Sequence, residues 1–172
     1  MKILEKRPEN LHALVTEKSA ENQSFRNFIH ALPSKQIDFT LDVIIPEVEK
    51  NIDCTQCGNC CRQLQPGLSE EEISGLSSIK NINVEDFKNQ FTAREKGTMI
   101  QYMTARPCVF LNQNICSIYE SRPHSCKDFP YIDESRIKMY WKRVMEYYKI
   151  CPIVFNTIEL LKKEVGFNFY FT

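Results

Sequence analysis

Apolar residues in the N-terminal third of the chain recur at helical spacing. Pro8 is placed to open a first helix, because proline fits the first helical position, where its missing N–H group is not needed. Two further apolar stripes predict two more helices, the first ending at Pro33 and the second containing Pro46 as either a kink or a restart. The residues of the three stripes are Leu11, Leu14, Val15, Phe25, Phe28, Ile29, Leu32, Leu41, Ile44, Ile45 and Val48. We interpret these stripes as core.

The middle of the chain predicts two short helices and a little β structure. The segment from Ser69 to Glu72 has the form of a capping box, in which a serine and a glutamate three residues later each accept a backbone N–H group at the start of a helix. A further helix is predicted over residues 84–91 and a strand over residues 98–104. Two apolar segments flank Asn112-Gln113-Asn114 and predict a tight hairpin.

The C-terminal third predicts two helices and a weak strand. Asp133 is placed to cap a long helix with one apolar face. The residues of that face are Ile137, Tyr140, Trp141, Val144 and Tyr148. Cys151-Pro152 begins a last helix, which Gly166 ends. Aromatic residues over 167–171 alternate weakly and are interpreted as a short strand. Together the patterns predict a mainly α fold with a small β-hairpin.

Composition and charge narrow the class of protein. The 172 residues are 42% hydrophobic and 26% charged, as in a soluble globular domain. The net charge is +0, so no basic surplus attracts a phosphate backbone and nucleic acid is not an expected partner, although net charge does not describe a local basic patch. No apolar run is long enough for a membrane span, and the N-terminus lacks the apolar core of a signal peptide. We therefore expect a cytoplasmic protein without a membrane partner.

The densest chemical signal is the segment Cys54-Thr55-Gln56-Cys57-Gly58-Asn59-Cys60-Cys61. In a reducing compartment thiols serve as metal ligands or catalytic groups more often than as disulfides, which are the less favoured alternative. Cys-x-x-Cys directs two thiols at one centre, and Gly58 relieves the backbone after the second. Cys60 extends the pattern to the three-cysteine run that some ferredoxins place on a four-iron cluster, with the fourth ligand elsewhere. The spacing predicts bound iron–sulfur or zinc.

Four widely spaced cysteines complete a total of eight. They are Cys108, Cys116, Cys126 and Cys151. Cys60 and Cys61 point in opposite directions if their segment is extended, so either one bridges two metals or the two serve different sites. Eight thiols thus form two four-thiolate sites or one multinuclear cluster. A conventional zinc ribbon is disfavoured because there is no second Cys-x-x-Cys, and Cys151 is also open to interpretation as a buried small hydrophobe.

Two polar residues near the later cysteines each allow two interpretations. Arg122 either binds an anionic substrate or cluster sulfurs, or, as we favour, ties loop carbonyls together. His124 is either a ligand or proton donor or, as we favour, a surface histidine. No Ser–His–Asp order, phosphate-binding loop or His-Glu-x-x-His motif indicates another chemistry, and no catalytic residue is assigned.

Several motifs occur together in one order along the chain. They are the segment 54–61, Leu68-Ser69-x-Glu71-Glu72-Ile73, Pro107-Cys108-Val109-Phe110-Leu111, and Cys116-Ser117-Ile118-Tyr119-Glu120-x-Arg122-Pro123-x-x-Cys126-x-x-Phe129-Pro130. From about Cys54 to Pro130 the chain resembles the YkgJ-type cysteine-cluster family, CxxCxxCC, described as a zinc- or iron-chelating domain, and Cys151 fits the same pattern. The resemblance implies that all eight cysteines ligate metal and that Tyr119 and Arg122 are cofactor-binding landmarks.

The resemblance implies less about the reaction. Members are often labelled iron–sulfur oxidoreductases, and flagellin lysine N-methylase is a relative class with a similar cluster in a longer chain. This chain has no recognisable Gly-rich nucleotide loop. We expect a metal-binding protein that works as a redox or protein-modifying enzyme on an unknown protein or small molecule, with iron–sulfur slightly preferred over zinc. The alternatives are a structural zinc protein or interaction module, and metal storage or delivery.

The expected organisation is one compact domain built around a cysteine-ligated metal centre. An N-terminal helical segment over 1–50 packs on a cysteine-cluster metal-binding domain over 51–155. A C-terminal helix and tail over 156–172 complete the same globular unit. The oligomeric state is not predicted.

Overall fold

Helices dominate the computed structural model, which describes residues 4–94 and 96–169. The α-helices are α1 Pro8–Glu17, α2 Ser19–Ala31, α3 Ser34–Asn51, α4 Cys54–Cys57, α5 Asn59–Gln63, α6 Glu70–Ile79, α7 Val84–Phe91, α8 His124–Lys127, α9 Glu134–Met139, α10 Trp141–Tyr148 and α11 Pro152–Glu164. The strands are β1 Gly67–Leu68, β2 Thr92–Arg94, β3 Gln101–Met103, β4 Leu111–Asn112 and β5 Ile115–Cys116. The predicted mainly α fold with a small hairpin is therefore confirmed.

Contacts divide the chain into two compact units. The first contains Met1–Cys57 and Pro130–Thr172, and the second contains Gly58–Phe129. The segments predicted with limits at residues 50 and 155 stay a prediction. None of the described helices has the length and apolar character needed to cross a membrane.

The first unit has an all-helical core built on α3 and α11. Pro8 lies in the first turn of α1 as predicted, and α3 continues through Pro46 rather than restarting there. Cys151 is the N-cap of α11, and Gly166, with φ +74°, follows its end. The fully buried side chains of this core are Leu11, Phe25, Ile29, Ile37, Val48, Ile137, Tyr148, Ile158 and Leu161. The apolar stripes thus supply core, as their spacing predicted.

The long helix predicted after Asp133 is wrong in one respect, because the segment forms two helices. Asp133 caps α9 by accepting the N–H of Arg136, but Tyr140, with φ −119° and ψ 35°, separates α9 from α10. Tyr140 is 58% exposed, although the helical pattern placed it on the apolar face. The break lets Trp141 and Val144 bury their side chains while Tyr140 turns to solvent.

The described part of the second unit combines the α-helices α5, α6, α7 and α8 with two small antiparallel sheets. The capping box of Ser69 and Glu72 is confirmed at the start of α6. One sheet has the order β1-β3-β2, and the other pairs β4 with β5, with Leu111 opposite Cys116. Its core consists of Leu68, Ile73, Leu76, Phe87, Met103 and Phe110. Cys108 and Cys116, two of the candidate metal ligands, pack against this core.

Two sequence predictions about strands need correction. The strand expected over 98–104 is confined to Gln101–Met103, and its partners β1 and β2 were not predicted, because strands of two or three residues have no periodicity to detect. The weak strand expected over 167–171 is not formed over 167–169, and its last two residues lie outside the described part of the chain.

Candidate metal centre

The eight cysteines divide between the two units. Cys54, Cys57 and Cys151 belong to the first unit. Those of the second unit are Cys60, Cys61, Cys108, Cys116 and Cys126. All eight lie in the described residues as thiols rather than disulfides. Thiolate sulfur is the donor that both zinc and iron–sulfur clusters take, so the donor chemistry of both sets fits these metals.

Gly58 places α5 against the turn of the β4–β5 hairpin. It is the N-cap of α5 and has φ +59°, in the left-handed region. A Cβ atom at this position would lie 2.8 Å from the carbonyl oxygen of Asn114. Arg62, on α5, donates over 2.6 Å to the carbonyl oxygen of Gln113 and to the side-chain oxygen of Asn114. Glycine is therefore required at position 58 for its conformation and for its small size. The hydrogen bonds of Arg62 stabilise the same contact between α5 and the hairpin turn.

Backbone pairing then places three cysteines in one neighbourhood of the second unit. The N–H of Cys108 donates to the carbonyl oxygen of Cys61 over 2.8 Å, and Leu111 N–H donates to the carbonyl of Cys108 over 3.0 Å. Leu111 in turn pairs with Cys116 across the hairpin. Cys60 and Cys61 do not point in opposite directions as expected of an extended segment, because α5 is helical and their sulfurs lie 4.0 Å apart.

The fourth thiol of this neighbourhood, Cys126, lies on α8. Glu72 accepts the backbone N–H of His124 at 2.6 Å, and Ser125 Oγ donates to the carbonyl oxygen of Gly67 at 2.8 Å. These two bonds tie α8 to the start of α6 and to β1. The sequence indicated Glu72 only as part of a helix cap. It gave no role to Arg62, for which the only indication was its position directly after Cys61.

The pKa shifts of three partly buried thiols agree with the proximity of four thiols in the second unit. Burial, reinforced by the charges of Cys61, Cys108 and Cys116, raises the pKa of Cys126 to about 12. Burial also raises the pKa of Cys108 and that of Cys116, and the charge of Cys61 acts on both in the same direction. Four thiols from four separate segments therefore share one electrostatic environment, in which thiolates repel one another until a cation compensates them.

The pKa of Cys61 shifts downward, whereas the pKa values of the other three thiols are raised. A hydrogen bond with the Cys60 thiol outweighs burial and, with the Arg122 and Arg62 cations, lowers the pKa of Cys61 to about 7. The guanidinium carbon of Arg122 stacks 3.5 Å from the centre of the Tyr119 ring. Its Nε also donates to the Tyr119 carbonyl over 2.8 Å, which is the carbonyl-tying arrangement favoured from the sequence. The same cation thus braces the loop and faces the thiol cluster.

The three thiols of the first unit form a second set. Cys54 and Cys57 are the two ends of α4. Burial is the main reason that the pKa of Cys151 rises to about 12, and the charges of Cys54 and Cys57 add to it. Cys151 is only 7% exposed. Its environment therefore combines the burial of a small hydrophobe with the proximity of two further thiols.

His124 lies at the surface of the second unit. Its side chain is 82% exposed, and Nε2 lies 2.8 Å from an oxygen of Asp128 one turn later. This placement agrees with the surface interpretation of His124.

Among the described residues, the side chains with suitable donor atoms are not arranged around a common metal position. Within residues 4–94 and 96–169, no group of three or more His, Cys, Asp or Glu side chains adopts an arrangement that could hold a metal ion. The ligand assignments of the cysteines and the cofactor roles of Tyr119 and Arg122 therefore stay predictions, supported by proximity and donor type.

Comparison with known proteins gives one match. Residues 53–151 match the sequence model of a family described as "putative zinc- or iron-chelating domain". The matched range covers more than half of the chain and contains all eight cysteines. No curated protein and no solved structure matches the chain.

Proposed function

Since the chain belongs to the CxxCxxCC family of zinc- or iron-chelating domains, we propose that it holds a metal centre in its second unit through four cysteine thiolates. The proposed ligands are Cys61, Cys108, Cys116 and Cys126. The observation that carries this assignment is the backbone pairing that brings Cys61, Cys108 and Cys116 into one neighbourhood. The charge of Cys61, which acts on the pKa of Cys126 as well, supports the inclusion of Cys126. Four thiolates complete the coordination of a structural zinc ion or an iron–sulfur cluster.

The first role of such a centre is to stabilise the second unit. Its four ligands come from α5, the loop before β4, strand β5 and α8, so one centre cross-links four short segments. The apolar core beneath them contains only six buried residues. In small domains of this kind, metal binding contributes directly to the free energy of folding. A set of four thiolates also closes the coordination sphere, which is typical of structural sites rather than of catalytic ones.

We favour an iron–sulfur centre over a single zinc ion. A fifth thiol, Cys60, lies with its sulfur 4.0 Å from that of Cys61. One zinc ion and one iron–sulfur cluster each take four cysteine ligands, so Cys60 does not decide between them. The preference rests on the spacing of Cys54, Cys57 and Cys60, the three-cysteine run that some ferredoxins place on a four-iron cluster. Arg122 supports either choice, because a metal bound by four thiolates carries net negative charge that its guanidinium offsets.

A second metal site is proposed in the first unit. Its thiols are Cys54, Cys57 and Cys151, and the charges of the first two act on the pKa of Cys151. Three thiolates leave one coordination position for another ligand, and an open position is the arrangement in which a metal does chemistry. Any redox or protein-modifying activity is therefore assigned to this set rather than to the four-thiolate set.

The decisive experiment is the measurement of iron, zinc and acid-labile sulfide in the full chain purified without oxygen, together with its visible spectrum. Iron with a matching amount of sulfide and a broad visible band is expected. Zinc without sulfide would replace the iron–sulfur proposal by the structural zinc alternative. Protein that is free of both metals, and takes up neither when reconstituted, would overturn the proposed function.

A matched pair of variants tests the ligand assignment. Cys116→Ser should lower the metal content of the second unit and the thermal stability of the protein. Ser78→Ala, at an exposed position on α6 of the same unit, should change neither. Equal metal content in the two variants would remove Cys116 from the ligand set.

A further inference from the structure

A groove in the first unit concentrates positive charge. It has a volume of about 790 Å³ and lies between α2, α9 and α10. The basic side chains that line it are Arg26, Arg136, Lys138, Lys142 and Arg143. Among the described side chains that line it, Glu146 supplies the only carboxylate. Because the whole chain has a formal net charge of +0, this imbalance is a property of the groove.

Arg136 and Lys138 make contacts that fix the wall of the groove. Arg136 forms an ion pair with Asp133, the cap of its own helix. Lys138 Nζ donates to the carbonyl oxygen of Leu32 over 2.9 Å and to Ser34 Oγ over 3.2 Å. These contacts join α9 to the end of α2 and the start of α3, so both cations form the wall of the groove.

Three exposed basic side chains of the groove, Arg26, Lys142 and Arg143, come from two helices. Arg26 lies on α2, whereas Lys142 and Arg143 are consecutive residues of α10. Their charges therefore approach the groove from two sides. Such a distribution suits an extended ligand that carries several negative charges better than a single anion.

Aromatic rings accompany the basic side chains. Tyr131, Tyr140, Trp141 and Tyr147 line the same groove. Tyr140 is 58% exposed at the break between α9 and α10, and the neighbouring Met139 is 72% exposed, whereas Trp141 is only 8% exposed. The helix break therefore exposes the Tyr140 ring, while the neighbouring Trp141 ring stays buried. An exposed aromatic ring beside cations is the arrangement on which an unpaired base stacks.

We propose that this groove binds single-stranded nucleic acid. Arg26, Lys142 and Arg143 contact phosphates, and Tyr140 stacks on a base. The concave shape favours a strand over a flat lipid surface, and the spread of the three cations over two helices favours a phosphate backbone over a mononucleotide. Paired bases cannot offer their faces to Tyr140, so a duplex is the weaker ligand.

The test measures fluorescence anisotropy of labelled single-stranded RNA and DNA of about 12 nucleotides with the full, metal-loaded chain. Three phosphate contacts predict that log K falls with log salt concentration with a slope of about −2. Tyr140→Ala should weaken binding about tenfold, whereas Tyr140→Phe, which keeps the ring, should stay within about twofold of the wild type. Lys142→Ala combined with Arg143→Ala should reduce the magnitude of the salt slope by about 1 to 1.5.

Lys35→Ala combined with Lys50→Ala is the matched control, because it removes two exposed lysines of the same unit that do not line the groove. This control should bind like the wild type, and preference for RNA or DNA would identify the natural strand. The proposal is overturned if the control weakens binding as much as the groove variant does. Equal binding of a duplex, of anionic lipid vesicles or of polyphosphate, complete competition by a mononucleotide at equal phosphate concentration, or no binding at low salt would also overturn it.

Discussion

The backbone at Gly58 approaches Asn114 so closely that a Cβ atom on Gly58 would lie 2.8 Å from the Asn114 carbonyl oxygen. This contact joins the helix that carries Cys60 and Cys61 to the hairpin that carries Cys116. A glycine inside a cysteine motif is readily explained as a relaxed turn. Here it also sets the distance between two segments that supply proposed ligands.

Gly58→Ala should therefore destabilise the second unit and lower its metal content. The left-handed conformation costs a non-glycine residue about 1 to 2 kcal/mol, and the backbone clash with Asn114 adds to that. Gly75→Ala is the matched control, because Gly75 lies inside α6 with no atom within 4 Å of the added Cβ. The control should gain about 0.5 to 1 kcal/mol of stability, since alanine is the better helix former. Urea unfolding followed by circular dichroism checks both, and equal effects would contradict the structural role of Gly58.

The two thiol sets should lose metal independently. Cys126→Ser should empty the four-thiolate site and leave metal in the first unit, whereas Cys54→Ser combined with Cys57→Ser should do the reverse. The reason is that each set draws its ligands from one unit. Metal content per chain, with native mass spectrometry, measures this directly. Loss of all metal from either variant would instead indicate one shared multinuclear cluster.

Substitution of Lys162 should lower the stability of the first unit more than most other substitutions there. Its side chain is 4% exposed, and Nζ lies 2.9 Å from Glu21 and 2.6 Å from Glu159. Lys162→Met removes one cation from two partly buried carboxylates. Both keep Lys18 as a partner, at 2.8 Å from Glu159 and 3.3 Å from Glu21. The loss of two charge-assisted hydrogen bonds should cost about 2 to 3 kcal/mol. Lys163→Met, at the exposed neighbouring position, should change stability by no more than about 0.5 kcal/mol. Unfolding is followed by the fluorescence of Trp141, the one tryptophan of the chain.

The same network predicts how stability depends on pH. Burial alone would raise the pKa of Glu159, but the charge of Lys162 and hydrogen bonds from Lys162, Lys18 and Tyr148 outweigh it and hold the pKa below its ordinary value of 4.5. A lowered folded-state pKa gives stability that is present above the unfolded pKa and is lost as pH falls through the folded one. Wild-type stability should therefore fall on acidification below about pH 4.5.

Comparison of the wild type with Lys162→Met isolates the contribution of Glu159 to the loss of stability at acid pH. Without Lys162, Lys18 and Tyr148 are left to offset the burial of Glu159, so the pKa of Glu159 moves upward from its wild-type value. The variant should therefore lose less stability on acidification than the wild type does. Urea unfolding of both proteins at a series of pH values provides the measurement. A parallel loss in the two proteins would show that other carboxyl groups dominate.

Short and long elements were predictable to different degrees. The capping box at Ser69 and the apolar stripes of α2 and α3 are local signals, so they were confirmed. The break at Tyr140 was missed, because it interrupts a pattern that reads as one continuous amphipathic helix. The sheet β1-β3-β2 was also missed, since its strands of two or three residues are held by partners distant in sequence.

The candidate site shows the same contrast. Spacing alone predicted that the cysteines from Cys54 to Cys61 bind metal, because ligands close in sequence need only a tight turn to converge. It left open which thiols share a site. The wrong expectation that Cys60 and Cys61 diverge arose from assuming an extended segment, whereas the segment is helical.

The sequence by itself determined the family, the mainly helical fold and the identity of the eight thiols, because each follows from local spacing or residue type. Only the tertiary structure decided that Cys61, Cys108, Cys116 and Cys126 are neighbours, since bonds such as Cys108 N–H to the Cys61 carbonyl link positions far apart in the chain. Only the fold, likewise, gathered basic side chains of α2, α9 and α10 around one groove. Net charge is a sum over the sequence, whereas the field that a ligand meets depends on where folding places each charge.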